Sequence, residues 1–411
     1  MKLSFEVGQR IEVVIGPIAH GGHCVARHDG QVIFVRHALP NERVIVEVTS
    51  LAKNFARGDA VTILERSPDR VNAPCKYAGG KYAGGCGGCD FQHVAVPAQR
   101  KLKEAVIAEQ FRRLAKTELH VEVEEVPNIF DEEGNGLHWR TRVAFLADSE
   151  GRLGLRRNHS HDLVLVGSCA IAVPSITNMQ VLSRRWPPQS TVQVVTSNTG
   201  DEVVVVKDED GRREILGKAK VHQRVFDRTF EVAADGFWQV HPGAPKVLSE
   251  AVIDSLSPVT GEHALDLYAG TGLFTGALLL RLGENGRVDL VESSASGVAD
   301  AKVNFGQSVN VMIHQGEVLR VLQELKGRRA IDIAVLDPPR AGAGAKVLAG
   351  LSALTPRRIA YVACDPAALA RDTAYLREFG YFLVGLRAFD LFPMTHHVEC
   401  VATFEPVLEA H

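Results

Sequence analysis

Asp266-Leu267-Tyr268-Ala269-Gly270-Thr271-Gly272 is the stretch on which the reading of this chain turns. It closes an apolar run, 263–267, and opens a helical one, 273–282. Strand, glycine-bearing turn and helix in that order make the first unit of an open α/β sheet. Glycines at 270 and 272 let the backbone come close to a ligand. Such a turn can also bind nothing, so its neighbours decide what it means.

Outward from it the same grammar continues. Strands are predicted at 263–267, 287–291, 309–313, 331–336, 358–363, 381–388 and 398–404, with helical patterns between them up to about 380. That alternation predicts a mostly parallel sheet with helices on both faces, its last two strands antiparallel because their link is short. Chemistry-bearing residues fall at strand ends. Glu292 stands twenty residues past Gly272, where a carboxylate can accept both hydroxyls of a ribose. Asp337-Pro338-Pro339-Arg340 ends a later strand, Ala363-Cys364-Asp365-Pro366 another, and Glu399 follows His396-His397-Val398. The turn lacks the third glycine of a dinucleotide fingerprint. With Asp337 at its strand end, this favours S-adenosylmethionine over a nicotinamide cofactor.

The 411 residues predict two or three domains. A net charge of −3 gives no global basic signal, so a nucleic-acid surface has to be local. No run of about 18 apolar residues and no signal-peptide core are found, so a cytoplasmic protein without a membrane span is expected. Residues 1–65 carry short β-branched runs broken by turn signals, the pattern of a small barrel of the OB type. A β-rich middle region, 66–225, follows. It contains a helix over 97–116, which can pack on the catalytic domain, and a hairpin turning at Asp210-Gly211. The α/β domain occupies 226–411.

Phe237-Trp238-Gln239-Val240, the 266–272 turn, Val291-Glu292, Asp337-Pro338-Pro339-Arg340, Ala363-Cys364-Asp365-Pro366 and the segment Asp390 to Glu399 resemble, in order and spacing, the motifs of RNA 5-methyluridine (uracil-C5) methyltransferases. The N-terminal barrel resembles the TRAM domain of those enzymes, and 75–89 their iron–sulfur loop. The resemblance implies a class I, Rossmann-like catalytic domain acting on rRNA or tRNA, and a monomer. It implies that Gln239, Tyr268, Glu292 and Asp337, with Gly270 and Gly272, hold S-adenosylmethionine, and that Glu317 stands on the adenine side. His241 departs from the usual Asn, and Trp238 is the aromatic residue beside Gln239.

The implied chemistry explains a thiol at 364. Uracil C5 is a poor nucleophile until a thiolate adds at C6 and gives C5 carbanion character. Methylated C5 still bears its proton, and a base must take it before the thiol can leave. Glu399 fits that role, with Cys364 as nucleophile. C5 is hidden in a stacked helix, so a single-stranded loop with a flipped nucleotide is the expected substrate. Arg140 and Arg142 beside Trp139, and Arg152, Arg156, Arg157 and His159, are candidate RNA contacts. Rival readings are a non-catalytic RNA-binding or RNA-folding factor, and a methyltransferase of another substrate that needs no cysteine.

Seven cysteines remain to be placed. Cys24 and Cys400 read as core. Cys86-Gly87-Gly88-Cys89 is a metal-type pair. By the resemblance, Cys75, Cys86, Cys89 and Cys169 hold a [4Fe–4S] cluster; a zinc site or free thiols are the alternatives. Ten residues separate Cys75 from Cys86, where the family has five, because Lys76-Tyr77-Ala78-Gly79-Gly80 is repeated as Lys81-Tyr82-Ala83-Gly84-Gly85. Doubling a flexible loop costs only about 0.6 kcal/mol of closure entropy, so Cys75 is expected still to reach the site.

Overall fold

The computed structural model describes residues 5–79, 85–157, 160–327 and 330–407. Strands β1 (Arg10–Ala19), β2 (His23–His28), β3 (Gln31–Arg36), β4 (Arg43–Leu51) and β5 (Phe55–Glu65) close into a barrel in the order β1-β2-β3-β5-β4. Alternation places Val44 and Val46 inside, and closure removes the open sheet edges. Cys24 lies in this core, its thiol donating to the carbonyl of Ala38.

Helix α1 (Val96–Gln110), with Pro97 in its first turn, ends in a wide turn over Phe111–Ala115. It is apolar on two sides. Leu102 and Val106 pack on the barrel core, whereas Ile107 and Phe111 enter the catalytic core. The helix therefore joins the two bodies. After it, β6 (Val123–Glu125) is spent on a distant sheet edge. Strands β7 (Arg142–Ala147), β8 (Leu153–Arg156) and β9 (Leu163–Leu165), the short α2 (Pro174–Asn178), and strands β10 (Thr191–Thr196), β11 (Glu202–Lys207) and β12 (Arg213–Leu216) form the middle region. Its antiparallel sheet runs β12-β11-β10-β7-β8-β9. The hairpin of β13 (Lys220–Val225) and β14 (Arg228–Ala233) straddles position 226. Its inner residues Val221, Phe230 and Val232 share one buried cluster with Leu248, Phe274 and Phe305 of the catalytic region.

The catalytic region comprises α3 (Ala244–Leu256), β15 (His263–Leu267), α4 (Leu273–Leu282), β16 (Arg287–Glu292), α5 (Ala295–Phe305), β17 (Val311–Gln315) and α6 (Val318–Leu325). It continues with β18 (Ile333–Leu336), α7 (Gly344–Ser352), β19 (Arg358–Ala363), α8 (Pro366–Glu378), β20 (Tyr381–Asp390) and β21 (Glu399–Pro406). The sheet order is β17-β16-β15-β18-β19-β21-β20-β6. The first five strands are parallel, and β21 slots antiparallel between β19 and β20. β6 adds a parallel edge beside β20, a pairing that three residues of sequence do not announce. The strand expected at 309–313 starts at Val311 instead, because Ser308 to Val311 makes a turn that leaves Val309 99% exposed. Strand order reverses between β15 and β18, the place where open α/β sheets take ligands.

Candidate active site

A cleft of about 960 Å³ opens at that reversal. Gln239, Tyr268, Gly270, Glu292, Asp337, Cys364 and Glu399 all line it. The β15–α4 turn is shaped by its glycines. Gly270 has φ +56° and no atom within 4 Å of where a Cβ would stand. Gly272, at φ +90°, would drive a Cβ to 2.4 Å from the Phe305 ring. Tyr268 also has positive φ, 61°, so the turn holds a non-glycine residue in a costly conformation at the ligand side. Below it, buried Asp266 accepts from Thr275 N and Oγ1 at 2.8 and 2.7 Å, bracing the turn against α4. Glu292 takes Gly270 N at 2.9 Å and Ser294 N at 2.6 Å, which aims its carboxylate along the cleft wall. Glu317 does not line the cleft. It is exposed just before α6, near enough that its charge, after burial and Asp372, helps push the Tyr268 hydroxyl up to about 12.

The β19–β21 register brings together two residues that are 35 apart in the sequence. Ala363 pairs with Cys400, so the next step along both strands sets Cys364 opposite Glu399. Cys400 itself points into the core, as expected. Glu399 is 3% exposed. Burial, then Asp337, raises its carboxyl well above the ordinary range, opposed by Arg340. Burial and the nearby Asp266 push Asp337 to about 7. Burial, Glu399 and Asp337 push the Cys364 thiol to about 12, with Arg340 pulling the other way. Acidic groups crowd this cleft, so it suits a cationic ligand.

The segment between β20 and β21 is braced from outside the catalytic sheet. Buried Lys103 of α1 binds Asp390 Oδ1 at 2.6 Å and donates to Phe392 O at 3.1 Å. Gln99 accepts from Met394 N at 2.7 Å. Asp90, one residue past Cys89, bonds His396. These partners were invisible to local sequence reading, although the position of Asp90 beside a metal-type pair was a signal. Trp238 is buried on Phe230, leaving Phe237 73% exposed at the cleft. His241 stacks on Trp139, and burial pushes it down to about 4.

The basic candidates divide. Arg142 is buried and donates to the carbonyls of Ala234 and Gly236, so it clamps backbone and is not a surface cation. Arg140 lies between the cleft and a second cavity. Arg152 is exposed and paired with Asp148, Arg156 is exposed, and Arg157 packs over Gly85. His159 lies outside the described residues.

Cys75, Cys86, Cys89 and Cys169 line that second cavity, of about 180 Å³, and none is in a disulfide. Burial raises the thiols of Cys86, Cys89 and Cys169. Among the described residues no three His, Cys, Asp or Glu side chains form a site for a single metal ion. A cubane cluster places each thiolate on a different iron, so four cysteines spread around one cavity fit it better than they fit one ion. Arg140 supplies a cation beside them. Residues 80–84, most of the duplicated stretch, lie outside the described residues.

Fold and cleft together define a Rossmann-like α/β enzyme domain whose site lies where the strand order reverses. The TRAM-domain profile matches residues 4–61, and that of tRNA (uracil-5-)-methyltransferase matches residues 178–406. A Streptomyces avermitilis protein described as an RNA methyltransferase is 45% identical, over 97% of this chain and 99% of its own. The 23S rRNA (uracil(1939)-C(5))-methyltransferase of Shewanella amazonensis is 30% identical, over 98% and 97%. The crystal structure of Pyrococcus abyssi tRNA (uracil-54, C5)-methyltransferase with S-adenosyl-L-homocysteine has the same fold, with TM-score 0.72, 21% identity, and 96% and 100% of the two chains covered. The chain belongs to the RNA uracil-C5 methyltransferase family. Among the described residues no helix is long and apolar enough to cross a membrane.

Proposed function

We propose that the protein methylates C5 of a uridine in a loop of ribosomal or transfer RNA, through a covalent bond between Cys364 and C6. The observation that carries this reading is the register that sets Cys364 against Glu399 in the cleft beside Asp337. Bound S-adenosylmethionine supplies an electrophilic methyl group. Glu292 holds the ribose, Gly270 allows close approach of the backbone, Gly272, which does not line the cleft, lets the turn pack on Phe305, and Gln239, Tyr268 and Asp337 complete the cofactor side. Cys364 Sγ bonds to C6, the electron pair moves to C5, and C5 takes the methyl group, leaving S-adenosylhomocysteine. Glu399 removes the C5 proton, and the C6–S bond breaks to release product and the thiolate.

A thiol and a carboxyl held up in the free protein are not yet a nucleophile and a base. A sulfonium cation entering this acidic cleft stabilises both deprotonated forms, so the site becomes active only when charged with its methyl donor. The experiment is incubation with 5-fluorouridine RNA and S-adenosylmethionine. Fluorine at C5 cannot be removed as a proton, so an adduct to Cys364 that survives denaturing gels is expected. Glu399→Gln should give the same adduct with ordinary uridine RNA. Full turnover by Cys364→Ala overturns the mechanism.

We infer also that Cys75, Cys86, Cys89 and Cys169 hold a [4Fe–4S] cluster. Bound there, it supplies four metal–thiolate bonds that staple the 75–89 loop to the middle sheet. Support comes from the shared cavity and the adjacent Arg140. Anaerobic purification should give brown protein with about four irons per chain. Colourless, iron-free and fully active protein overturns this assignment.

A further inference from the structure

The cleft is not walled by the catalytic region alone. The β1–β2 turn of the barrel reaches it, with Gly21 and His23 in its lining. His20 Nε2 stands 2.9 Å from Asp365 Oδ2, one residue past Cys364. The other oxygen of that carboxylate caps α8 by accepting Ala368 N at 2.8 Å. One side chain thus ties the turn carrying Cys364 to its own helix and to the barrel.

A second tie runs through Asp90. Its Oδ1 accepts from Arg36 of β3 at 3.0 Å, and its Oδ2 is 2.6 Å from His396 Nδ1. Arg36 and Asp90 are each only 14% exposed, so solvent screens this pair less than it does a surface bridge. Gly22, at φ +78°, lies so close that a Cβ on it would meet the His396 Cβ at 2.8 Å. The His397 ring lies 4.1 Å from the His396 ring, centroid to centroid. His396 is thereby boxed by the barrel, the cysteine loop and its neighbour, three residues before Glu399.

We propose that the barrel is a working wall of the methylation cleft, in which His20 and Arg36 are positioning residues for Cys364 and Glu399. The inference rests on the uridine chemistry proposed above. Cys364 and Glu399 sit where strands give way to loops, so ladder hydrogen bonds fix them on one side only. Side-chain ties hold the other side. Both ties originate in the barrel, so how the barrel is seated sets the separation of the reacting groups. A domain that merely gripped RNA would touch neither loop.

The test uses the full chain, tritiated S-adenosylmethionine, and total RNA from a strain lacking the gene. His20→Ala and Arg36→Met should slow single-turnover methylation about ten- to a hundredfold, the size expected for small misplacements of reacting groups. The RNA concentration at half-saturation should move less than about threefold. His20→Gln, whose amide nitrogen can replace Nε2, should restore most of the rate. Arg43→Met, on the barrel but tied to Glu12 and Glu65, should behave as wild type. Unchanged rates, or a raised RNA requirement at full rate, overturn the inference and leave the barrel as a grip. Wild-type protein that methylates no uridine in this RNA would instead overturn the proposed function. Iodoacetamide labelling of Cys364, read by peptide mass, decides the inference even then. Both variants should change its rate at least about threefold, and equal rates overturn it.

Discussion

The reactivity of Cys364 offers the sharpest check on the electrostatics of the cleft. An unperturbed thiol, pKa about 8.5, is about one-quarter thiolate at pH 8. At about 12, where burial, Glu399 and Asp337 hold Cys364, the thiolate fraction is on the order of one in 10⁴. Higher basicity returns part of this, because thiolate nucleophilicity rises with pKa with a slope of about 0.4–0.5. The net expectation is alkylation about two orders of magnitude slower than that of free cysteine at pH 8. The perturbation is Glu399→Gln, which removes the carboxyl ranked next after burial and should speed labelling at least about threefold at the alkaline end, where that carboxyl is ionised; Arg340→Met should slow it. The assay is iodoacetamide labelling between pH 7 and 10, followed at the Cys364 peptide. Wild-type rate should climb about tenfold per pH unit with no plateau. Saturating S-adenosylmethionine, a cation, should raise it relative to saturating S-adenosylhomocysteine, which lacks the sulfonium charge. A plateau with its midpoint between pH 8 and 9, unmoved by Glu399→Gln, would refute the reasoning.

Glu292→Ala should weaken S-adenosylmethionine binding roughly ten- to a hundredfold by calorimetry, the loss expected for hydrogen bonds to a charged group; unchanged affinity removes Glu292 from the cofactor side. Lys103→Met leaves Asp390 charged, buried and without its cation, which should cost about 3–5 kcal/mol in urea unfolding. Adding Asp390→Leu should recover most of that loss, and additive costs would show that the pair is not coupled. Burial alone would raise Asp289, but hydrogen bonds from His263 and His314 hold its carboxyl below the ordinary range. Its stabilisation is therefore present above about pH 4 and is lost as pH falls towards its folded pKa. Asp289→Asn should lower the urea midpoint at pH 7 and flatten its decline in acid; parallel curves would count against the network.

Local sequence carried the catalytic sheet well, because strand, turn and helix signals there are short-range. Apolar runs of five or six residues, Gly270 and Gly272, and Pro366 after Cys364 mark element ends by backbone preference alone. The barrel was legible for the same reason: β-branched alternation and turn residues specify each strand without reference to its partners. Of the four cysteines of the second cavity, Cys86 and Cys89 were legible as a pair by their spacing, and Cys75 and Cys169 joined them only through the family resemblance, since nothing local states that Cys169 meets the 75–89 loop. The role of Arg142 was misread, because arginine beside an aromatic residue has the same sequence whether it faces RNA or clamps Gly236.

What tertiary structure decided is who faces whom across long separations. Pairing Ala363 with Cys400 puts Cys364 against Glu399, and a slip of one residue would have turned Glu399 into the core and Cys400 into the cleft. The same holds for β6 at the far edge, for Lys103 under Asp390, and for His20 beside Asp365. Such contacts depend on packing among segments from 35 to 345 residues apart, and local preference does not encode them. The sequence by itself therefore determined the elements and the chemistry available at their ends. The packed core determined which of those ends became one site.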